Sequence, residues 1–315
     1  MTSSSSRRLL KIATRSSRLA LWQAEHVASL LRAAAPECDV ELLHVSTIGD
    51  RDLAGSLRSF GGMGVFTREV QNVVLAGLAD IAVHSLKDLP TDPHPDLALA
   101  AVPERAETAD ALILPSSASA DMTWEQLPQG ARIGTGSLRR RAQLLHARPD
   151  FNFSEARGNV ETRLRKLDEG EFDALILAVA GLQRLELADR IHQQIVPPQM
   201  YHAVGQGALG IECRSGDQQL REILDRIGHT PTWQRVLAER ALLRELRAGC
   251  HAPVGVATTW TEAELTLEAV VLSPDGSQRI LDRKTTPPAS AEQLGLGVAS
   301  ALLSQGADKL IHQSG

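Results

Sequence analysis

The chain has 315 residues, 43% of them hydrophobic and 23% charged, with a formal net charge of −5. That is a globular composition with room for two or three domains of about 100–200 residues, and its slight acidity argues against a polyanion-binding or membrane-surface protein. No run approaches the ~18 apolar residues of a membrane span, residues 1–11 lack the apolar core of an export signal, and Cys38, Cys213 and Cys250 stand without metal-ribbon or disulfide-framework spacing, so a chain of the reducing cytoplasm is expected.

Residues 9–13 read as a strand, 17–35 as an amphipathic helix ended by Pro36, and 40–45 as a second strand. A Gly-rich stretch over residues 55–64, containing Gly61-Gly62-Met63-Gly64, has the length and composition of a mobile functional lid. A helix over 67–76 and strands over 80–84 and 97–102 follow. The alternation then repeats, with strands over 132–134, 151–155 and 174–179 and helices over 137–147 and 160–167. It predicts a mainly parallel sheet in each of two lobes, with ligands at the carboxyl ends of the strands and a cleft between the lobes.

Beyond Pro197-Pro198 the pattern changes. Gly205-Gln206-Gly207 reads as a turn into a strand ending near Glu212, and by itself is no more than a hinge. Two helices come next; the second covers 230–246, with Thr230 as N-cap, Pro231 at the first helical position and Gly249 as the stop. Strands over 254–259, 265–272 and 279–284, joined by tight turns such as Ser273-Pro274-Asp275-Gly276, predict an antiparallel sheet, and residues 291–303 form a closing helix.

Two internal echoes support a duplication. Ile12-Ala13-Thr14-Arg15-Ser16 and Ile133-Gly134-Thr135-Gly136-Ser137 each lead from a strand into a helix. Ser and Thr are ordinary N-caps, but such junctions also gather unpaired N–H groups and the positive end of the helix dipole, which suits an anion. Gly77-Leu78-Ala79-Asp80 and Gly170-Glu171-Phe172-Asp173 each precede a continuous apolar strand.

Chemistry concentrates where polar residues meet strand or helix ends. Lys87 and Asp88 follow an apolar strand at His84-Ser85; spacing alone favours a solvated turn pair, while a carboxylate there could also stabilise a developing cation and relay a proton. Arg139, Arg140, Arg157, Arg163 and Arg184 form a series of forks suited to carboxylates, whereas Arg165 is expected to pair with Asp168 on a helix surface. Cys250 follows a helix C-terminus, where the dipole gives no help towards a thiolate, so a small buried thiol and a functional one stand level.

Six blocks, taken together and in order, resemble the porphobilinogen deaminase (hydroxymethylbilane synthase) family: His84-Ser85-Leu86-Lys87-Asp88, Gly134-Thr135-Gly136-Ser137-Leu138-Arg139-Arg140, Arg157-Gly158-Asn159-Val160, Ala178-Val179-Ala180-Gly181-Leu182, Ala203-Val204-Gly205-Gln206-Gly207 and Gly249-Cys250. The resemblance implies an α/β fold with two periplasmic-binding-protein-like lobes flanking a cleft, plus a smaller C-terminal α+β domain. It divides the chain into residues 1–103 with 204–226 as lobe 1, 104–203 as lobe 2 and 227–315 as the cofactor-attachment domain. It implies a transferase of tetrapyrrole and heme biosynthesis, monomeric and cytoplasmic, that condenses four porphobilinogen units head to tail with loss of ammonia and releases hydroxymethylbilane by hydrolysis. The primer is a dipyrromethane cofactor held by a thioether to Cys250.

By the same resemblance Asp88 is the catalytic carboxylate that stabilises the azafulvenium cation formed as ammonia leaves. Ser85, Lys87, Thr135, Ser137, Arg139, Arg140 and Arg157 fall to the cofactor, and Arg15, Ser17, Arg157, Arg163, Arg184 and Gln206 to the substrate, with no metal, nucleic acid or membrane partner. The chain departs from the family pattern at Ser59 and Met63, where lysines are common, and in Leu246-Arg247-Ala248-Gly249, where Leu-Glu-Gly-Gly is common. A bilobed binding protein for a carboxylated small molecule is the alternative; it would leave Cys250 and the third domain without a purpose. A transcriptional regulator with such an effector domain would need a basic recognition helix, which nothing before Lys11 supplies.

Overall fold

A computed structural model describes residues 7–45, 65–119, 121–249 and 252–311. The lid expected over residues 55–64, with Ser59 and Met63, lies outside the described residues, as do Cys250 and His251. The chain divides into two compact units, Met1–Arg105 with Ala208–Trp233, and Ala106–Gly207 with Gln234–Gly315.

The first unit is built on strands β1 (Arg8–Arg15), β2 (Cys38–Val45), β3 (Ile81–Ser85) and β4 (Leu97–Ala101), with helices α1 (Arg18–Ala34) and α2 (Val65–Leu75) in the crossovers. Gln23, Ala24, Val27, Ala28 and Leu31 recur at helical spacing, and their apolar members give α1 a buried face on this sheet. The second unit opens with β5 (Asp110–Ile113) and continues through β6 (Arg132–Gly134), α3 (Leu138–Ala147), β7 (Asn152–Ser154), α4 (Val160–Asp168), β8 (Ala174–Ala178), the short α5 (Val179–Arg184) and β9 (Gln193–Ile195). The chain then contributes β10 (Leu209–Arg214) and α6 (Gln218–Asp225) to the first unit, and the unit boundary falls inside α7 (Thr230–Glu245).

The strand orders are β2-β1-β3-β10-β4 and β7-β6-β8-β5-β9. In each five-stranded sheet three neighbouring strands pair parallel, and a fourth, supplied by the segment that leaves for or returns from the other unit, pairs antiparallel with the third of them and with the edge strand, β4 or β9. Both sheets are therefore mixed rather than mainly parallel. A parallel neighbour needs a crossover through a helix, whereas β5 and β10 arrive without one and pair antiparallel with β8 and β3.

The duplication holds to the residue. Ile12 pairs with Ile81 as Ile133 pairs with Ala174, so residues 12 and 133, and residues 81 and 174, are equivalent. In the same frame the Lys11 N–H donates to Asp80 Oδ2 at 2.9 Å and the Arg132 N–H to Asp173 Oδ2 at 2.7 Å, while the Asp80 and Asp173 N–H groups donate back to the carbonyls of Lys11 and Arg132. Gly77 and Gly170, at φ +71° and +82°, make the left-handed turn that delivers each Asp to its clasp.

The second unit also holds an antiparallel sheet, β11 (Val254–Trp260), β12 (Leu265–Leu272) and β13 (Arg279–Thr286), packed with α7, α8 (Ala291–Ser304) and α9 (Ala307–Ile311) around one apolar core. This is the expected C-terminal α+β assembly. It joins the preceding sheet's elements through Val256, whose N–H donates to the His202 carbonyl at 2.8 Å, and through Gly276, whose carbonyl accepts from His146 Nδ1 at 2.8 Å on α3. A Cβ at Gly276 would come within 2.6 Å of α3 backbone atoms, so the turn before β13 seats there only as glycine.

The end of α7 corrects an expectation. Arg247, at φ +50°, stops the helix, not Gly249: the Arg247 N–H donates to the Arg244 carbonyl and the Ala248 N–H to Leu243, a Schellman closure sealed by buried Ala248.

Candidate active site

In the first unit β3 delivers the His84–Asp88 block. Leu86–Asp88 is one 3-10 turn, closed by the Leu89 N–H on the Leu86 carbonyl and tied to the residue before β10 by the Leu86 N–H on the Ala208 carbonyl. Leu86 is buried beneath the turn, Lys87 is half-buried and Asp88 faces solvent. Ser85 accepts a 2.7 Å hydrogen bond from Gln23 Nε2 on α1. Ser17 caps α1, accepting from the Ala20 N–H, and half-buried Arg15 ends β1. Ser16, the residue equivalent to Ser137, is not the cap: the first junction runs one residue longer before its helix begins.

On β3 and β10, ahead of the Leu86–Asp88 turn, lies a polar cluster that the sequence left unassigned. On the β3–β10 pair His84 faces Gly210, so Glu212 is its diagonal neighbour on the same face, with His84 Nε2 3.0 Å from Glu212 Oε2. Gln71 Nε2 donates to the same oxygen at 2.8 Å, and all three side chains are buried.

In the second unit Ser137 caps α3, accepting from the Arg140 N–H, and Thr135 Oγ1 accepts from the Ser137 N–H at 3.2 Å. Arg139 and Arg140, on the first turn of α3, point into the core. Arg140 Nε and Nη2 donate to Asp110 Oδ1 at 2.9 and 2.7 Å, and Arg139 Nη1 donates to Asp110 Oδ2 at 2.7 Å and to the Tyr201 carbonyl at 2.6 Å. Asp110 is only 1% exposed, and burial alone would raise its carboxyl; the two guanidinium groups reverse this and hold it well below the usual carboxylate range. Gln206 Nε2 donates to the same Oδ1 at 3.0 Å and to the Thr108 carbonyl at 2.7 Å, so the Gly205-Gln206-Gly207 turn is tied to this ion pair rather than being a bare hinge. Glu239 on α7, fully buried, fixes the turn from the other side by accepting from the Gly205 N–H at 2.8 Å.

The remaining arginines are more open. Arg184 is half-buried on the Gly207 carbonyl at 2.6 Å, and burial pushes its guanidinium down to about 10. Arg163 is half-buried, with Nε donating to the Gly158 carbonyl at 2.8 Å, and exposed Arg157 pairs with Glu155 at 2.7 Å. Arg165 does not pair with Asp168. It takes Glu169 at 2.6 Å, one turn on, while Asp168 is gripped by Arg190 at 2.9 Å. The structure thus brings Thr135, Ser137, Arg139, Arg140 and Gln206 together through α3 and Asp110.

Asp110, Glu212 and Glu239 were not anticipated. For Asp110 one signal was present: an acidic residue inside the apolar run Ala109-Asp110-Ala111-Leu112-Ile113-Leu114 is costly in a buried strand unless paired.

Residues 10–222 match the family model described as porphobilinogen deaminase, dipyromethane cofactor binding domain, and residues 233–304 match porphobilinogen deaminase, C-terminal domain. A porphobilinogen deaminase of Synechococcus elongatus is 48% identical over 310 residues, covering 98% of this chain and 97% of that one. One from Syntrophotalea carbinolica is 45% identical over 302 residues, covering 96% and 95%. The chain belongs to the porphobilinogen deaminase family. Among solved structures, the periplasmic VFT2 domain of Bordetella pertussis BvgS matches 70% of this chain and 87% of its own at 14% identity and a TM-score of 0.43.

The family's dipyrromethane carries acidic side chains, and the donor set in the second unit fits such a group. Two guanidinium groups share one carboxylate at Asp110, a buried excess of one positive charge, and Arg139 Nε has no hydrogen-bond partner among the described residues. The two described thiols are poor candidates to hold it: Cys38 and Cys213 are buried, and burial pushes the Cys213 thiol up to about 11.

Proposed function

We propose that the chain is a hydroxymethylbilane synthase that condenses four porphobilinogen units on a covalent dipyrromethane primer and releases the linear tetrapyrrole by hydrolysis. The observation that carries this reading is the pair of family matches, which run in order over residues 10–222 and 233–304. When bound, the dipyrromethane would supply the pyrrole carbon to which the first unit is joined, each later unit joining the ring added before it. The functional division is residues 1–103 with 204–226, 104–203 and 227–315, and the enzyme works as a cytoplasmic monomer. No helix among the described residues is long and apolar enough to cross a membrane.

Asp88, solvent-facing on a turn fixed from below by Leu86, places a carboxylate against the cation that develops on substrate as its amino group leaves, and takes up and returns the pyrrole proton. Lys87 and Ser85 flank it. Arg139 and Arg140, with Thr135 and Ser137 at the α3 N-terminus, receive cofactor carboxylates; exposed Arg157 serves both cofactor and substrate. Arg163 and Arg184, with Arg15 and Ser17, orient the incoming ring, while Gln206, assigned to the substrate by resemblance, is fully buried and acts through the Asp110 ion pair. Half-burial of Arg163 and Arg184 strengthens each charge-assisted contact, because the surrounding dielectric is low.

Cys250 is the attachment point. Intact mass of the purified chain tests the whole reading, since a non-catalytic binding protein predicts no covalent adduct. Substituting Cys250→Ser removes adduct and turnover together, whereas Cys38→Ser and Cys213→Ser retain both. An active wild-type enzyme without the adduct, or an adduct that survives Cys250→Ser, overturns it.

A further inference from the structure

Asp110 occupies a position the fold fills with an apolar residue elsewhere. In the second sheet Asp110 stands opposite Ala178 on β8, and in the first sheet the equivalent position, opposite Ser85 on β3, holds Leu209, buried among apolar side chains. A leucine satisfies that site in a sheet of the same topology and register, so the sheet itself does not require a carboxylate there. A buried acidic group without such a requirement is costly unless it organises partners.

Its partners are all donors. Asp110 accepts from Arg139, from Arg140 through two nitrogens and from Gln206. Each guanidinium is also fixed by a main-chain carbonyl, Arg139 by Tyr201 and Arg140 by Ile176 at 3.0 Å. Tyr201 is itself clasped, its N–H donating to Gln143 Oε1 at 2.7 Å and its carbonyl accepting from Gln143 Nε2 at 3.0 Å. Two long side chains of like charge, adjacent in sequence on the first turn of α3, would separate and lose their common orientation without an anion between them. With Asp110 between them they keep one positive charge in excess, beside the capped helix N-terminus.

We propose that Asp110 is a positioning residue that assembles Arg139 and Arg140 into a ready-made cationic seat for a carboxylate of the resident cofactor, so that cofactor loading depends on it. This rests on the function proposed above. Its action is through the arginines and not on the reacting atoms.

The test uses the full chain incubated with porphobilinogen, with the loaded fraction followed by intact mass and folding followed by thermal melting. Asp110→Asn keeps the shape and removes the charge, and its loading rate is expected to fall at least tenfold. Leu144→Ala, a truncation in the same unit's apolar core, supplies a control for lost stability, and its loading is expected to stay within about twofold of wild type. Asp110→Glu, which keeps the charge one methylene further out, covers the case in which Asp110→Asn does not fold; it is expected to fold and to load several-fold more slowly than wild type. Loading of Asp110→Asn at the wild-type rate, or slowed no more than in Leu144→Ala at matched melting temperature, overturns the proposal. If Asp110→Asn does not fold, wild-type loading by Asp110→Glu overturns it. Failure of the wild-type chain to acquire any adduct would instead overturn the function on which it rests.

Discussion

The two five-stranded sheets share strand order, register and the Asp clasp on the equivalent strands β1 and β6, yet they differ in where each buries polar groups. The first buries a carboxylate at Glu212, against Gln71 and against His84 of the strand that leads into the Asp88 turn. The second buries one at Asp110, against two arginines at a helix N-terminus. A common scaffold thus carries an exposed carboxylate in its first copy and concentrated cations in its second. The difference lies in side chains at equivalent positions: Asp88 corresponds to Gly181, and Leu209 to Asp110.

The largest expected effect tests that division. Asp88→Asn should lower turnover by about 10²–10³, the range for losing a group that stabilises developing charge. Gly181→Asp places a carboxylate at the equivalent turn of the second sheet, where an added Cβ meets nothing within 4 Å. Combined with Asp88→Asn it should restore no activity in steady-state assays of ammonia release. Recovery of turnover would mean that the two strand ends are interchangeable, and near-normal turnover in Asp88→Asn alone would return Asp88 to a solvated turn.

Much of the shared scaffold was legible because it is written in local signals. Gly77 and Gly170 with Asp80 and Asp173 mark the same turn and clasp, and Ser17 and Ser137 mark helix starts. The buried polar clusters were not legible, since they depend on partners distant in sequence. Asp110 lies on a four-residue strand, β5, that periodicity did not reveal, and its arginines come 29 and 30 residues later. Read alone, Arg139 and Arg140 resemble exposed binding groups; in the fold their charge is already shared. Arg247 shows the opposite limit, because local grammar assigned the helix stop to a glycine while an arginine takes the left-handed position. The antiparallel entry of β5 and β10 is a property of topology and leaves no mark on residue spacing.

An intermediate effect examines the shared clasp. Asp80→Ala and Asp173→Ala each remove the acceptor of a main-chain N–H, on β1 and β6 respectively, and each should cost about 1 kcal/mol in urea unfolding at neutral pH. Unequal losses would show that the scaffold is not equally supported in the two sheets. The Asp173 clasp should also depend on pH. Its hydrogen bond from Arg132 holds the Asp173 carboxyl below the ordinary carboxylate value of about 3.9. A depressed folded value means the contribution is complete above the unfolded value and is lost as pH falls through the folded one. The stability gap between wild type and Asp173→Ala should therefore be constant near neutrality and close in acid; a gap that widens on acidification would contradict this sign.

The smallest effect separates surface charge from the proposed substrate grip on a single helix. Arg165 and Arg163 lie two residues apart on α4, and on an α-helix such neighbours face different directions. Arg165 is exposed and pairs with Glu169, an i,i+4 pair of the kind worth on the order of 0.3–0.5 kcal/mol. Arg165→Ala should thus shift stability by no more than that and leave KM and turnover unchanged, as a surface position equivalent to exposed Asn72 of α2 would. Arg163→Leu removes a half-buried fork held against the Gly158 carbonyl, and if it orients a substrate carboxylate the loss should be roughly 1.5–3 kcal/mol of transition-state binding. Native mass spectra of Arg163→Leu with porphobilinogen should show partly extended enzyme–substrate species accumulating, while Arg165→Ala gives the wild-type distribution. Equal, modest slowing in both variants, with no change in which species accumulates, would place Arg163 among the surface charges and remove it from the substrate site.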